Sequence, residues 1–125
     1  MIDAALIEAC APHVAAETVQ AIVKVESQGD PIALASNRPG GAIRLHPKDL
    51  DDAIRLARRE IVAGSSVDMG LMQVNSRNLA KLALTIEQIW EPCTNLRAGA
   101  VILTGAYFGA MKEFGEGQAA LRAAL

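Results

Sequence analysis

Aromatic side chains are scarce in this chain of 125 residues: they make up 3% of the sequence, although 51% of the residues are hydrophobic. The apolar content is therefore carried mainly by Ala, Leu, Ile and Val, a composition that favours closely packed helices over a β-sandwich. A chain of this length can bury a core of its own. We therefore expect a single, mainly helical domain.

An excess of positive charge is also absent, since the formal net charge is −2 and the sequence pI is about 5.6. This balance argues against a nucleic-acid-binding protein, which would need a basic face. The one cluster of arginines, within residues 55–59, shares a predicted helix with acidic residues that include Glu60. We interpret that helix surface as solvated and ion-paired.

Long apolar runs and the features of an export signal are missing. No run reaches the roughly 18 apolar residues of a membrane-spanning helix. The first ten residues lack a basic stretch followed by a long apolar one. Either the protein is cytosolic or its signal peptide lies outside these residues.

Cysteine is nearly absent, since Cys10 and Cys93 are the only two. Their spacing fits no metal-binding motif, and from the residues alone two free thiols and a disulfide remain equally open. A bond between them would contribute roughly 4–5 kcal/mol in the chain-entropy model and would indicate an oxidising compartment. Neither His13 nor His46 has a cysteine or an acid at ligand spacing, so we predict no metal and no other cofactor.

Periodicity and turn residues divide the chain into helices around a small β-hairpin. We predict helices at about residues 3–9, 15–27, 48–63 and 76–83, a loose hairpin within residues 32–45, and a last helix that begins near Asn95. Asn95 is expected to cap that last helix.

Glu26 is the first candidate for a catalytic residue. It follows Val19, Ile22 and Val23 by seven, four and three residues, so at about 100° per residue it falls on their apolar face. A carboxylate drawn out of water keeps its proton more readily, as a general acid near neutral pH requires. The alternative is that Glu26 only ends the helix and reaches solvent, because Ser27 and turn-forming residues follow at once.

Residues 70–75, Gly-Leu-Met-Gln-Val-Asn, are the second candidate. Gly70 permits a close backbone approach or an unusual dihedral angle. Gln73 and Asn75 carry amides suited to sugar hydroxyl and acetamido groups, although they also fit an exposed turn that enters a helix. Asp30 and Asp68 are the candidates for a second catalytic carboxylate. We interpret Asp30 as a turn residue, whereas Asp68 could border a cleft.

Three motifs together carry a resemblance to a known family: a helix that ends in Glu26-Ser27, the run at residues 70–75, and Asn-Leu-x-x-Gly-Ala-x-x-Leu from Asn95 before a tyrosine. This combination resembles the lytic transglycosylases with a lysozyme-like fold. Residues 66–79 look like the members attached to bacterial type IV secretion and conjugation machines. The resemblance extends from about residue 10 to residue 125.

The resemblance implies a mainly helical domain of the goose-type lysozyme and soluble lytic transglycosylase kind, with a small β-hairpin. In this family one glutamate, matched by Glu26, protonates the oxygen between N-acetylmuramic acid (MurNAc) and N-acetylglucosamine (GlcNAc). The same carboxylate then accepts the proton of the C6 hydroxyl, which closes onto C1 to give a 1,6-anhydro product. One carboxylate suffices because the substrate supplies its own nucleophile.

Further site residues and partners follow from the same resemblance. The residues that it assigns to saccharide binding are Ser27, Gly70, Leu71, Met72, Gln73, Asn75 and Tyr107. The alternatives are that Ser27 orients the backbone at the helix end and that Met72 and Tyr107 pack in the core. It implies a Cys10–Cys93 disulfide, a periplasmic location with the signal peptide outside these residues, and two partners: peptidoglycan strands and type IV secretion components. Residues 1–125 are then one transglycosylase domain without the Tyr-Asn-x-Gly segment usual after the last helix. A lysozyme-type hydrolase and a non-catalytic peptidoglycan-binding assembly module are the alternatives.

Overall fold

The computed structural model describes residues 2–114, and it describes side chains as far as residue 105. Helices precede, separate and follow two pairs of strands, and the four strands form one small sheet. The helices are α1 (Ala4–Cys10), α2 (Ala16–Glu26), α3 (Leu50–Val62), α4 (Leu79–Leu82) and α5 (Pro92–Phe114), and the strands are β1 (Leu34–Arg38), β2 (Gly41–Leu45), β3 (Val67–Met69) and β4 (Val74–Asn75). The mainly helical architecture predicted from composition and periodicity is confirmed.

The sheet is antiparallel, with the strand order β2-β1-β3-β4. The predicted hairpin is confirmed as β1–β2, whereas β3 and β4 enlarge it and were not expected. Leu34 pairs with Met69, which pairs with Val74, and all three side chains are buried. Residues on the opposite face alternate with these, so that one face of the sheet belongs to the core and the other is polar. That polar sheet face carries Asn37, Arg44, Asp68 and Asn75.

Helix α5 begins at Pro92, three residues before the expected start. The Glu91 carboxylate accepts hydrogen bonds from the backbone N–H groups of Cys93, at 3.0 Å, and Thr94, at 2.8 Å. These bonds hold the pKa of the Glu91 carboxyl below its ordinary value. Proline fits the first helical position because it needs no hydrogen-bond acceptor there. Glu91 therefore caps the helix, and the prediction that Asn95 caps it is wrong.

One hydrophobic core joins the helices to the inner face of the sheet. It draws on α1, α2, α3, α5 and the sheet, with Ile7, Val19, Ala57, Val67 and Leu96 each fully buried. A Cys10–Cys93 disulfide links the end of α1 to the start of α5, with the two Cα atoms 5.2 Å apart. The pairing implied by the resemblance is therefore confirmed. No helix within the described residues is long and apolar enough to cross a membrane.

Candidate active site

Helix α2 ends in a tightly hydrogen-bonded turn that fixes the position of Glu26. The backbone N–H groups of Ser27 and Gln28 both donate to the carbonyl oxygen of Val23 at 2.9 Å. The Ser27 hydroxyl donates to the same carbonyl at 3.1 Å and accepts from the N–H of Gly29 at 3.2 Å. Because Ser27 is buried and its hydroxyl is already used on both sides, it supports the helix end rather than offering a group to a ligand.

The Glu26 side chain is exposed, contrary to the expectation that the apolar stripe would draw it out of water. Val19 and Val23 are buried as predicted, and Glu26 lies within roughly 60° of both of them around the helix axis. The direction given by helical spacing therefore does not account for the exposure of Glu26. Within the described part of the chain, no side chain hydrogen-bonds or pairs with the Glu26 carboxylate, which leaves it accessible to a ligand.

Glu26 faces a polar cleft of about 420 Å³ between the end of α2 and the end of β2. The lining residues are Val25, Glu26, Ser27, Gln28, Asp30, Ala33, Arg44, Leu45, His46 and Pro47. The Nη2 atom of Arg44 donates to the backbone carbonyl oxygen of Glu26 at 3.1 Å and so connects the two walls. The sequence did not single out Arg44 or His46 for this cleft. Strand alternation puts Arg44 on the polar sheet face, and this is the one sequence feature that could have indicated its place in the cleft.

The turn between β3 and β4 places Gln73 beside this cleft. Gly70 and Gln73 both adopt positive φ angles, of 77° and 50°. The Nε2 atom of Gln73 donates to the carbonyl oxygens of Ala33, at 3.0 Å, and Gly70, at 3.1 Å. Ala33 itself lines the cleft. Both amide hydrogens are therefore held internally, while Oε1 makes no hydrogen bond within the described residues and remains open to a donor.

The side chain of Asn95 holds the turn between β3 and β4 by hydrogen bonds from the core side. Its side chain is fully buried; Oδ1 accepts from the N–H of Met72 at 2.7 Å, and Nδ2 donates to the carbonyl oxygens of Met69 and Ile89, each at 2.9 Å. The approach is so close that a Cβ atom on Gly70 would lie 2.3 Å from Asn95 Nδ2. Gly70 thus has both properties expected of it, a close approach and an unusual dihedral angle.

Leu71 and Met72 are 1% and 8% exposed, so their side chains belong to the core. Met72 packs against α5 at Gly99, where an added Cβ atom would lie 2.5 Å from Met72 Cβ. The structure thus gives these two residues a supporting position beneath the turn rather than direct access to the cleft. Tyr107 lies in α5, but its side chain falls outside the described residues.

The two other candidate carboxylates are engaged in local hydrogen bonds. Asp30 Oδ1 accepts from the N–H of Ile32 at 3.0 Å, which confirms its interpretation as a turn residue. Asp68 accepts from the amides of Asn75, at 2.8 Å, and Asn37, at 3.2 Å, one on each oxygen. The Asn75 amide is thereby committed to the sheet. Among the described residues, no three His, Cys, Asp or Glu side chains gather as a metal site requires.

Comparison with known proteins finds relatives that match nearly the whole chain. A protein from Rhizobium radiobacter named virB1 is 42% identical over 116 residues, covering 93% of this chain and 47% of its own. The type IV secretion system protein virB1 of Brucella suis biovar 1 (strain 1330) is 41% identical over 120 residues, covering 95% of this chain and 50% of its own. The chain thus spans about half the length of the relatives it matches. No solved structure matches it significantly. Residues 3–123 match the transglycosylase SLT domain, and the chain therefore belongs to that family, which has a lysozyme-like fold.

Proposed function

We propose that this domain is a peptidoglycan lytic transglycosylase and that Glu26 is its catalytic acid and base. One observation carries the proposal: Glu26 presents a carboxylate to the cleft that no described side chain engages. Asp30 and Asp68, in contrast, are hydrogen-bonded in a turn and on the sheet. Of these three carboxylates, Glu26 is the one without a hydrogen bond to the described residues, and the family reaction requires one carboxylate.

The reaction balances with that single group. Protonated Glu26 donates its proton to the oxygen that joins C1 of MurNAc to GlcNAc, and the C1–O bond breaks as positive charge develops at C1. The C6 hydroxyl of the same MurNAc then attacks C1 while its proton passes to the Glu26 carboxylate. The products are a 1,6-anhydroMurNAc end and a free 4-hydroxyl on GlcNAc, and Glu26 regains its proton for the next cycle.

A bound glycan would provide the dry environment that the free protein lacks at Glu26. The carboxylate is exposed in the structure, so water must leave the cleft when a strand binds. Gln73 Oε1 is a suitable acceptor for a hydroxyl or acetamido N–H group, because two carbonyl oxygens fix the orientation of its amide. Ser27, Gly70, Leu71 and Met72 act in this proposal by positioning Glu26 and Gln73.

We further propose that the protein works in the periplasm and opens the cell wall locally for a type IV secretion or conjugation machine. The similarity to virB1 proteins, one of them named as a type IV secretion system protein, supports the machine. The Cys10–Cys93 disulfide supports an oxidising compartment. Residues 1–125 serve here as one catalytic domain.

Product analysis on purified sacculi tests the activity. We expect the protein to release muropeptides with 1,6-anhydroMurNAc ends, and we expect Glu26→Gln to lower the rate by about a thousandfold because the acid and base are lost together. Glu17→Gln, in the exposed first turn of the same helix, is the matched control and should leave the rate unchanged.

Two outcomes would contradict the proposal. Products with reducing ends would show that water attacks C1 and that the domain is a lysozyme-type hydrolase. Binding of glycan strands without any release, by the unaltered protein, would identify a non-catalytic assembly module.

A further inference from the structure

Arg44 is a cation of the cleft that has no acidic partner among the described residues. Four other arginines, Arg38, Arg55, Arg58 and Arg59, each form an ion pair with a carboxylate. Arg44 forms none with the described residues, although Glu26 and Asp30 line the same cleft. Its side chain is exposed, and it donates a hydrogen bond to a backbone carbonyl oxygen.

That hydrogen bond fixes the guanidinium group at the carboxyl end of α2. The acceptor is the carbonyl oxygen of Glu26, one of the helix-terminal carbonyls that have no partner within the helix and attract cations. One of the five N–H donors of Arg44 is used, and the others remain for a ligand. A guanidinium group held in this way loses little further freedom on binding a carboxylate with two parallel hydrogen bonds.

The position of Arg44 relative to Glu26 indicates what the ligand carries. Glu26 carries the acid in its side chain, and its backbone carbonyl oxygen accepts the hydrogen bond from the Arg44 guanidinium group. On MurNAc, the reacting C1 and the 3-O-lactyl group lie on the same sugar ring. The lactyl group ends in a carboxylate when the strand is stripped of peptide, and in a stem peptide with free carboxylates when it is not.

We propose that Arg44 binds a carboxylate on the lactyl branch of MurNAc and thereby selects strands that carry this charge. The inference rests on the proposed function, because it takes Glu26 as the group that protonates the bond at C1 of that same sugar. Arg44 is then a specificity-determining residue. It contacts a part of the substrate that does not react, so its loss weakens binding and leaves the chemical step unchanged.

Three substrates separate the possible sources of the carboxylate. The first is peptide-bearing glycan, the second is glycan stripped by an amidase so that the lactyl carboxylate is free, and the third is stripped glycan whose lactyl carboxylates have been converted to neutral methylamides. Release of anhydro products is followed for the unaltered protein, Arg44→Gln, Arg44→Lys and Arg77→Gln. Arg77 is the matched control because it is also exposed and forms no ion pair with the described residues.

We expect Arg44→Gln to raise KM about tenfold on a charged substrate, with kcat unchanged, because a charge-assisted hydrogen-bond pair is lost. Arg44→Lys should recover part of that loss, and Arg77→Gln should match the unaltered protein. The neutral substrate should show no difference among the four proteins. An effect confined to peptide-bearing strands assigns the site to the stem peptide, and an effect confined to stripped strands assigns it to the lactyl group.

Two results would overturn the inference while leaving the proposed function intact. One is an Arg44→Gln protein that equals the unaltered protein on all substrates. The other is an equal loss on the charged and neutral substrates, which would show that Arg44 only ties β2 to α2. Failure of the unaltered protein to cleave any of the three substrates would instead overturn the proposed function, and this inference with it.

Discussion

Glu60 is a buried acid with a structural role. It is 4% exposed and accepts two hydrogen bonds from Arg38, at 2.6 and 2.9 Å, as well as bonds from Arg59. The Arg38 guanidinium is the main cause that lowers the Glu60 pKa from 4.5 to about 2. Arg38 ends β1 and Glu60 belongs to α3, so this ion pair fastens the sheet to the helix.

The depressed pKa of Glu60 predicts how stability changes with acid. The unfolded chain takes up the proton first as pH falls, so the ion pair stabilises the fold above pH 4.5 and its contribution disappears between pH 4.5 and about 2. We expect Glu60→Gln to have a lower Tm than the unaltered protein at pH 7, with a difference that narrows towards pH 2. Thermal unfolding across this range measures it, with the exposed Glu8→Gln as control. A difference that stays constant with pH would contradict this assignment.

Asn95 is a fully buried polar residue, so its replacement is expected to be costly. Asn95→Ala leaves the N–H of Met72 and the carbonyl oxygens of Met69 and Ile89 without partners inside the core. The expected loss in the free energy of unfolding is about 3 kcal/mol, measured by urea denaturation.

Asn78→Ala removes an amide that makes no capping hydrogen bond and is the control, with an expected change of less than about 0.5 kcal/mol. The rate of anhydro product release shows separately whether the active site is altered. Because Asn95 supports the turn that carries Gln73, Asn95→Ala should also lower activity at temperatures where the protein remains folded. Full activity in a folded Asn95→Ala protein would show that Gln73 does not depend on this support.

Two glutamates show what periodicity can and cannot predict about single residues. Glu26 was expected to leave water and is exposed, whereas Glu60 was expected on a solvated helix face and is buried. Helical spacing gives the direction in which a side chain points, but it does not say where the core ends along the axis. It also could not reveal that Arg38, distant in sequence, supplies the charge that lets Glu60 be buried.

The turn between β3 and β4 combines two constraints that a pair of glycine substitutions can separate. Gly70 and Gly64 both have positive φ angles, of 77° and 99°. A Cβ atom on Gly64 meets nothing within 4 Å, whereas one on Gly70 lies 2.3 Å from Asn95 Nδ2. We expect Gly64→Ala to cost about 1 kcal/mol from backbone strain alone. Gly70→Ala should cost about 2 kcal/mol more, because Asn95 must move.

Urea denaturation of the two alanine variants gives this difference directly. Equal costs would show that the close approach to Asn95 is easily relieved. Activity is a second measurement. Displacement of Asn95 should also shift Gln73 and lower the rate, whereas Gly64 follows α3 and lies outside the cleft that contains Glu26. Gly64→Ala should therefore retain its rate of anhydro product release.

The elements differ in how far the sequence could predict them. Helices α2 and α3 and the β1–β2 hairpin were found because apolar periodicity and turn residues mark them clearly. Strands β3 and β4 contain three and two residues, too few to show alternation, and they exist because β1 offers an edge for pairing. The start of α5 was placed too late, although Glu91-Pro92 is a recognisable capping sequence. The cleft wall formed by Arg44 depends on tertiary contact with α2.

At the scale of the whole molecule, the disulfide joins elements that are far apart in sequence. Cys10 and Cys93 are separated by 83 residues, and the bond links the ends of α1 and α5 that pack against each other. Neither cysteine lines the cleft that contains Glu26. Stability and catalysis should therefore respond differently when the bond is removed.

We expect the double variant Cys10→Ser/Cys93→Ser to lose about 4 kcal/mol in the free energy of unfolding, because an unfolded chain without this long closed loop gains conformational entropy. Urea denaturation with and without dithiothreitol measures the effect. The reductant should destabilise the unaltered protein by a similar amount and leave the double variant unchanged. At temperatures well below its Tm, the double variant should still release anhydro products at a normal rate, since neither Glu26 and Arg44 in the cleft nor Gln73 beside it depends on a cysteine. If dithiothreitol does not change the urea midpoint of the unaltered protein, Cys10 and Cys93 are not joined by a disulfide. The argument for an oxidising compartment would then fail.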